Sequence, residues 1–387
     1  MEIRQVHETE MDHVLRLLSQ AFMQGSRDDA FLREPSPPIV AQGAWENGTL
    51  HAQVAVLAWK VRLGPEVVLP MGGVAGVACL PASRGKGYAG ALLRRALERM
   101  REDGQPVSAL FPFSWDYYRR FGWEWAGVGR TYAAETCSLR PSPETGRVRP
   151  ATAEDRDAIA SVYGRVARRY RGMVERHPVH WGQILNDTEK EFTYTYVHEG
   201  DSGIDGYLTY RGGSREETML REFLALTPQA LAGLLGLLRR HDMQTDKVEW
   251  RAPADDLLWM QGYHSDLHTD IAPVAQARVV DVEAAIRAWK PLPDREGRVT
   301  MAVTDDSAPW NEGAWSVEYG GGEASIARCE GEPQVSLGIG PLSQAYWGGA
   351  ELDDLRRAGA VDVRDEAGFA ALRDLLAGPT MWMNDSF

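Results

Sequence analysis

Apolar residues first recur at helical spacing. Across residues 10–22, Met11, Val14, Leu15, Leu18 and Phe22 share one face, which predicts a helix. "EPSPPIVAQGAW" then reads as a loop giving way to extended chain. "HAQVAVLAWKVRL" (51–63) is apolar on both faces and rich in Val, which predicts a central strand, and Gly64-Pro65 a turn. Residues 67–80, "VVLPMGGVAGVACL", predict one or two further strands interrupted by Gly72, Gly73 and Gly76. Helical period returns over 86–102. Ala89, Leu92, Leu93, Ala96, Leu97 and Met100 form its buried face; Arg94, Arg95, Glu98 and Arg101 face water. "PVSALFPF" (106–113) is the next strand and "SWDYYRRFGWEWAG" a short helix and turn. Strands followed by helices, with no tandem hairpins at the start, define an α/β domain.

The stretch "CSLRPSPETGRVRPATAEDRD" (137–157), rich in Pro, Ser and charge, marks a domain boundary near residue 145. Thr152 to Asp155 is a helix start before "AIASVYGRVARRY", and "DRDAIASVYGRVARRYRG" (155–172) reads as a solvated basic helix face. Strands follow at "FTYTYVHE" and "GYLTYRG". A weak repeat then sets "GVACLPASRGKGYAGALLRRAL" against "EFLALTPQALAGLLGLLRRHD" (222–242): apolar strand, proline, "AG" and a helix ending "LLRR". Chance likeness of two amphipathic helices explains the match equally well; if the repeat is real, the second copy lacks "SRGKGY". The last boundary lies near 272. Beyond it come a helix at 279–289, the short strands "RVTMAVTD", "GAWSVEYGG", "ASIARC" and "PQVSLGIG", a charged helix and turn in "ELDDLRRAGAVDVRDE", and a late helix "GFAALRDLLAG". The division is thus 1–145, 146–272 and 273–387, with α/β units followed by an α+β unit.

A chain of 387 residues is too long for one compact core. Hydrophobic content of 44% and charged content of 25% describe a soluble globular protein. The net charge of −13 argues against nucleic acid or an anionic membrane as partner and suits a cationic small molecule. Cys79, Cys137 and Cys329 form no Cys-x-x-Cys pair and no zinc set with the histidines; His177, His180 and His264 show no ligand spacing. No metal is expected, and the cysteines read as reduced thiols of a cytoplasmic protein. The charged N-terminus has no apolar signal core, and no run of eighteen apolar residues is present to span a membrane.

The chemistry concentrates in "RGKGYAGALLRRALERM" (84–100). The first amides of a helix lack internal partners, and the helix dipole makes that end positive. Gly85 and Gly87 let backbone approach an anion, and Arg84 and Lys86 add charge. The turn is neither a Walker A loop nor a dinucleotide fingerprint. On these residues alone it is either a phosphate cradle or an ordinary glycine-containing helix start.

Arg84-x-x-Gly87-x-Ala89, placed after "GVACL" and before an amphipathic helix, resembles the acetyl-coenzyme A pyrophosphate motif of the GNAT N-acetyltransferases. Together with "SWDYYRRFGWEWAG" and its Tyr-x-Arg-Phe-Gly turn, it is similar to the Eis (enhanced intracellular survival) family. The resemblance implies tandem GNAT-like mixed-sheet domains, the second without cofactor, followed by a sterol-carrier-like α+β domain. All 387 residues fit that plan: the motifs are specific in the first domain, only patterned in the second and moderate in the third. It also implies hexamers built as trimers of dimers, and acetyl-CoA as co-substrate. A bulge is plausible among Gly72, Gly73 and Gly76, where the family's bulged strand binds pantetheine and polarises the thioester carbonyl.

Residue by residue, the resemblance places Val77, Ala78 and Cys79 on the strand that pairs with pantetheine. Arg84, Gly85, Lys86, Gly87, Tyr88, Ala89 and Gly90 fall in the pyrophosphate loop, and Phe113 and Ser114 at a further cofactor contact. Tyr118 matches the tyrosine general acid, and the α-carboxylate of Phe387 the base. Without the family, Tyr118 reads as a packed aromatic beside Phe121, Tyr117 is its rival, and Phe387 is a frayed end. Arg119 stands where the family often has a small residue, with Trp123 and Trp125 nearby, so the acceptor rather than the reaction is open. The reaction implied is acetyl transfer to a primary amine of a cationic small molecule, aminoglycoside- or polyamine-like. The alternatives are acylation of protein lysines or N-termini, which usually employs a single small domain, and a non-enzymatic lipid-binding or scaffold role for the C-terminal domain.

Overall fold

A computed structural model of the chain describes residues 1–23, 39–187, 191–258 and 267–387. They gather into two compact units. One comprises Met1–Gly127, Ala275–Pro379 and Asp385–Phe387, the other Val128–Val274 and Thr380–Asn384.

The first unit begins with β1 (Glu2–Gln5), α1 (Met11–Ala21), β2 (Ile39–Glu46), β3 (Thr49–Leu63) and β4 (Val68–Cys79). It continues with α2 (Tyr88–Glu102), β5 (Val107–Leu110), α3 (Trp115–Arg119) and β6 (Glu124–Trp125). The expectation of no tandem hairpins at the start fails: β1 to β4 are successive antiparallel neighbours. The hairpin between β2 and β3 turns on Asn47-Gly48, with φ of +50° and +75°. Asn-Gly is the residue pair that the two-residue hairpin turn demands. β4 and β5 run parallel, joined by the crossover helix α2.

Helix α2 lies on this sheet because Leu92, Leu93, Ala96, Leu97 and Met100 meet Val54, Val56, Val74 and Leu110. Gly72 is required where the helix comes closest, since a Cβ there would overlap Met100 Sδ. The sheet is completed from far along the chain. Strand Gln276–Val279 lies between β5 and β6, with Arg278 opposite Ser108. Because Val279 ends that strand, the helix expected over 279–289 forms only over Val282–Ala288, its first turn capped by the Asp281 carboxylate accepting from Ala284 N at 3.0 Å. A second sheet in the same unit orders strands 323–328, 313–320, 297–304, 335–338 and 361–363.

The second unit has a seven-stranded sheet that includes Val128–Glu135, paired with Lys247–Pro253 and Leu267–Pro273. The boundaries expected near 145 and 272 follow chain order, whereas contacts group strand 128–135 with the later part of the chain and strand 276–279 with the earlier part. Strand Glu217–Ala225, helix Pro228–Arg239 and the parallel strand Lys247–Pro253 repeat the arrangement of β4, α2 and β5. Arg171, read from sequence as part of the solvated basic helix face, is instead 1% exposed in a strand that pairs with the tail, because the helix ends at Ala167. Its N–H donates to Thr380 O at 3.0 Å and its carbonyl accepts from Trp382 N at 2.7 Å. Trp382 packs edge-on to Tyr170, and the Asn384 amide donates to Glu222, which also accepts from the buried Arg176 and from Tyr207. Among the described residues, no helix is long and apolar enough to cross a membrane.

Candidate active site

Strand β4 does two things in its last third. Its pairing with β3 shifts register between Gln53 and Ala55, so that Gly76 and Val77 of β4 stand against Val54 alone. This is a bulge, and Gly76 adopts φ of +55° within it. Pairing with β5 runs only from Met71↔Val107 to Val74↔Leu110. Beyond Val74 the strands part, and among the described residues the β4 edge over Val77, Ala78 and Cys79 has no strand partner on that side. A splayed strand edge offers amides to an extended ligand as a neighbouring strand would.

At the end of β4 the chain passes through a short turn to α2. Gly85 and Gly87 hold φ of +80° and +85°, a conformation that side chains disfavour, and a Cβ on either would meet nothing within 4 Å. Both glycines are thus needed for backbone shape and face open space. Gly87 caps α2 without any side-chain bond, so the first amides of the helix are left for an external acceptor. The corresponding helix Pro228–Arg239 differs on this point: the Thr227 hydroxyl accepts from Ala230 N at 3.1 Å, and Pro228 occupies the first turn.

The turn is braced from beneath. His51 stacks on Tyr88 and lies 2.7 Å from the Ser83 hydroxyl, and the Tyr88 hydroxyl donates to Glu46 at 2.8 Å. That bond holds the Glu46 carboxyl below its ordinary range and raises the Tyr88 phenol. The Tyr88 side chain is thereby committed to the scaffold, leaving its amide for a ligand.

Between the splayed strand and the turn lies a cavity of about 710 Å³. Val77, Ala78, Cys79, Arg84, Gly85, Gly87, Tyr88, Ala89, Gly90 and Phe113 line it; Lys86, Ser114, Tyr118 and Phe387 do not. Burial pushes the Cys79 thiol up, and the charges of Arg84 and Lys86 pull against it. Seven lining residues were not assigned to the cofactor site from sequence: Ala21, Phe22, Ser83, Arg94, Arg120, Phe121 and Tyr117, the last read only as the rival of Tyr118. Arg94 and Arg120 lie over the Phe121 ring at 5.2 and 5.9 Å. Arg94 is exposed, as its helical position predicts, yet it also lines the cavity. The signal was its place two turns after Gly87 on one helical face.

The tyrosines separate clearly. Tyr117 lines the cavity, with the Arg120 guanidinium 4.7 Å from its ring centroid. Tyr118 is 3% exposed, and burial pushes its phenol above the ordinary value. Its ring meets Phe113 edge-on at 5.3 Å and Tyr117 at 5.2 Å. Two residues before Phe113, Phe111 meets the ring of Phe387 at 5.2 Å. Phe387 also packs 5.9 Å from Trp59, and a Cβ at Gly73 would lie 2.8 Å from its ring. The last side chain is therefore docked on β3 and β4 rather than frayed. Arg119 is held by Glu124, Nε to Oε2 at 2.7 Å, so its charge is committed locally. Trp123 is fully buried and donates to Ser108 Oγ at 3.1 Å. Among the described residues no group of three or more His, Cys, Asp or Glu could hold a metal. His264 lies outside the described residues.

Gly87→Asp adds bulk, a disfavoured φ and a negative charge at the uncapped helix start. Expected is a rise of about 10–100-fold in the Kd for acetyl-CoA, on the scale of one or two charge-assisted hydrogen bonds. Calorimetry on the folded variant checks it, and unchanged affinity would remove the anion cradle.

A parallel strand pair opened beside a glycine-shaped helix start has room for an extended thioester and amides for a pyrophosphate, the arrangement that a GNAT acyltransferase needs. Comparisons with known proteins agree. Residues 2–126 and 172–279 match models of the acetyltransferase (GNAT) domain, and residues 282–384 a sterol carrier protein domain. The chain is similar to an uncharacterized N-acetyltransferase of Streptomyces avermitilis, 27% identical over 82% of each chain. It is 22% identical to N-acetyltransferase Eis of Mycobacterium tuberculosis over 84% of this chain and 83% of that one. Among solved structures, a probable N-acyltransferase of Enterococcus faecalis superposes with a TM-score of 0.91 at 22% identity, covering 100% of this chain and 99% of that one. Eis1 of Mycobacterium abscessus superposes at 0.80 and 23% identity over 100% of both chains. The chain thus carries two stretches that match GNAT acetyltransferase domains and is similar over more than four fifths of its length to N-acetyltransferases, Eis among them, which supports an acyl-CoA-dependent N-acetyltransferase of the Eis-like GNAT kind.

Proposed function

We propose that the enzyme moves an acetyl group from acetyl-CoA to a primary amine of a cationic small molecule, aminoglycoside- or polyamine-like, by direct attack. The observation that carries this reading is the docked C-terminus. The Phe387 ring lies on β4 at Gly73 and against Phe111, while Phe113, two residues on, contacts Tyr118. One extended segment thus links the candidate base to the candidate acid.

Acetyl-CoA supplies an activated thioester. The cavity fits it through the unpaired edge of Val77 to Cys79, the uncapped amides after Gly87 and the positive charges of Arg84, Arg94 and Arg120. Backbone N–H groups at the Gly76 bulge offer hydrogen bonds to negative charge developing on a carbonyl oxygen. Tyr118 holds its proton firmly because burial raises its phenol, so it stays in the donor form for a departing thiolate. The terminal carboxylate of Phe387, with a reference pKa of about 3.5, attracts an ammonium and takes its proton, directly or through water. The net charge of −13 favours cationic acceptors over acidic ones.

The division into a catalytic domain (1–145), a GNAT-like domain without cofactor (146–272) and a sterol-carrier-like domain bearing the catalytic C-terminus (273–387) belongs to the same reading, as do a hexameric assembly and a cytoplasmic location. The Thr227 cap supports a cofactor-free second domain, since it occupies the amide that an anion would need. Mass-spectrometric screening of acetyl transfer to polyamines, aminoglycosides and lysine peptides tests the acceptor class. Acetylated polyamine or aminoglycoside is expected; acetylation of peptides alone would favour a protein substrate.

A further inference from the structure

We propose that Arg278 is a positioning residue for the tyrosine turn, acting through the backbone that carries Tyr118. The proposal rests on the reading of Tyr118 as proton donor.

Helix α3 is a single short turn, and its last carbonyls have no partners within the helix. Phe121 N donates to Tyr118 O at 2.9 Å and Gly122 N to Arg119 O at 3.0 Å, so the backbone folds back tightly after the tyrosine. The Phe121 carbonyl then accepts from Arg278 Nη1. Gly122, at φ of +81°, is the only residue type that fits beside this guanidinium, because a Cβ there would overlap Arg278 Nη1. A cation at a helix C-terminus is favourable, and burial strengthens it.

Arg278 is itself over-determined. Its side chain and that of Asp305 are 0% and 1% exposed and are paired through Nη2 and Oδ2. The Asp305 carboxylate also accepts from Ser307 N at 3.2 Å, Ala308 N at 3.1 Å and Asn311 Nδ2 at 2.9 Å. The guanidinium lies 5.6 Å from the Trp123 ring centroid, and Trp123 is bonded to Ser108, opposite Arg278 in the sheet. A charge is expensive to bury this far, and replacing such a pair by apolar residues is often neutral or stabilising. Stability alone therefore explains this pair poorly. What it achieves is a fixed carbonyl at Phe121, three residues after Tyr118. The same residue sets its ring in the cofactor cavity beside Gly90.

The test is a double-mutant cycle on steady-state kinetics with acetyl-CoA and an accepted amine. Arg278→Met combined with Asp305→Asn removes both charges, so neither is buried alone. Expected is a folded protein with kcat lowered about tenfold or more, and partial recovery with Arg278→Lys. In a Tyr118→Phe background the same change should cost less than about twofold, because the group it positions has lost its proton. An equal cost in both backgrounds, or wild-type kcat in the Arg278 variant, overturns the positioning role. Wild-type kcat in Tyr118→Phe alone overturns instead the proton-donor assignment, and the proposal with it. Where the double replacement does not fold, Gly122→Ala carries the test: it keeps both charges and displaces the guanidinium from the Phe121 carbonyl. The same loss and the same dependence on Tyr118 are expected, and wild-type kcat would again overturn the role.

Discussion

Tyr118→Phe lowers kcat by about 10²–10⁴-fold and leaves the affinity for acetyl-CoA nearly unchanged, the span expected for loss of one general acid. Affinity persists because Tyr118 does not line the cofactor cavity, whereas Tyr117 does. Tyr117→Phe should act on acetyl-CoA affinity instead and, with Tyr118 as the donor, cost far less in kcat. Burial raises both phenols, so pH does not separate them but does limit where an acid here is lost. Burial raises Tyr118, helped by its neighbour Tyr117, so its acid form persists above the ordinary phenol value of about 10. An acid with a raised pKa is lost only as pH climbs through that raised value. No alkaline decline in kcat from this group is expected below pH of about 10. A larger loss in Tyr117→Phe, or an alkaline limb near neutrality that disappears with Tyr118, would move the proton donor elsewhere.

The second large effect concerns the end of the chain. A short C-terminal extension converts the Phe387 carboxylate into a neutral amide and should reduce kcat/KM by about 10²-fold or more, the lower range for a general base. Deleting Phe387 should do the same for a different reason. It takes the ring from its seat by Gly73, Trp59 and Phe111, and the new carboxylate loses that anchor. Asp385, buried two residues earlier, leaves room for a residual rate. Acetyl-CoA affinity should hold in both, since the cavity is formed by β4, α2 and the segment around Phe113. Equal kcat/KM for untagged and extended protein would make Phe387 a packed terminus only, and the base would then lie elsewhere.

The glycine turn before α2 was legible because its signal is local. Glycines with a forced backbone and a helix with one apolar face are written within seventeen consecutive letters. The bulge was legible as three glycines in one strand, although only Gly76 bulges; Gly72 and Gly73 serve close approach to Met100 and Phe387. The extended chain read after the Pro-rich stretch is β2, the loop read at 34–38 lies outside the described residues, and the Asn-Gly signal of the β2–β3 hairpin went unused. Other features had no local signal. That Arg278 reaches the Phe121 carbonyl depends on a strand from far along the chain pairing with β5, residue 276 against 110 and 278 against 108. Helical periodicity assigns Arg94 to solvent and is silent on the cavity that the solvent-facing side borders. Strand 128–135 looks like the close of the first domain because chain order is all that a sequence displays, while its partners lie at 247–253 and 267–273.

The late strand 276–279 has a consequence for biosynthesis. As the chain leaves the ribosome, β5 emerges with one edge bare, and its permanent neighbour is still to be translated. Strand 128–135 waits in the same way for its distant partners downstream. Unpaired edges of this kind recruit strands from other chains. The catalytic sheet is thus exposed to misassembly through most of its synthesis, and slow elongation or a crowded polysome should be felt there first, as aggregation of nascent protein rather than as a loss of activity in the finished one.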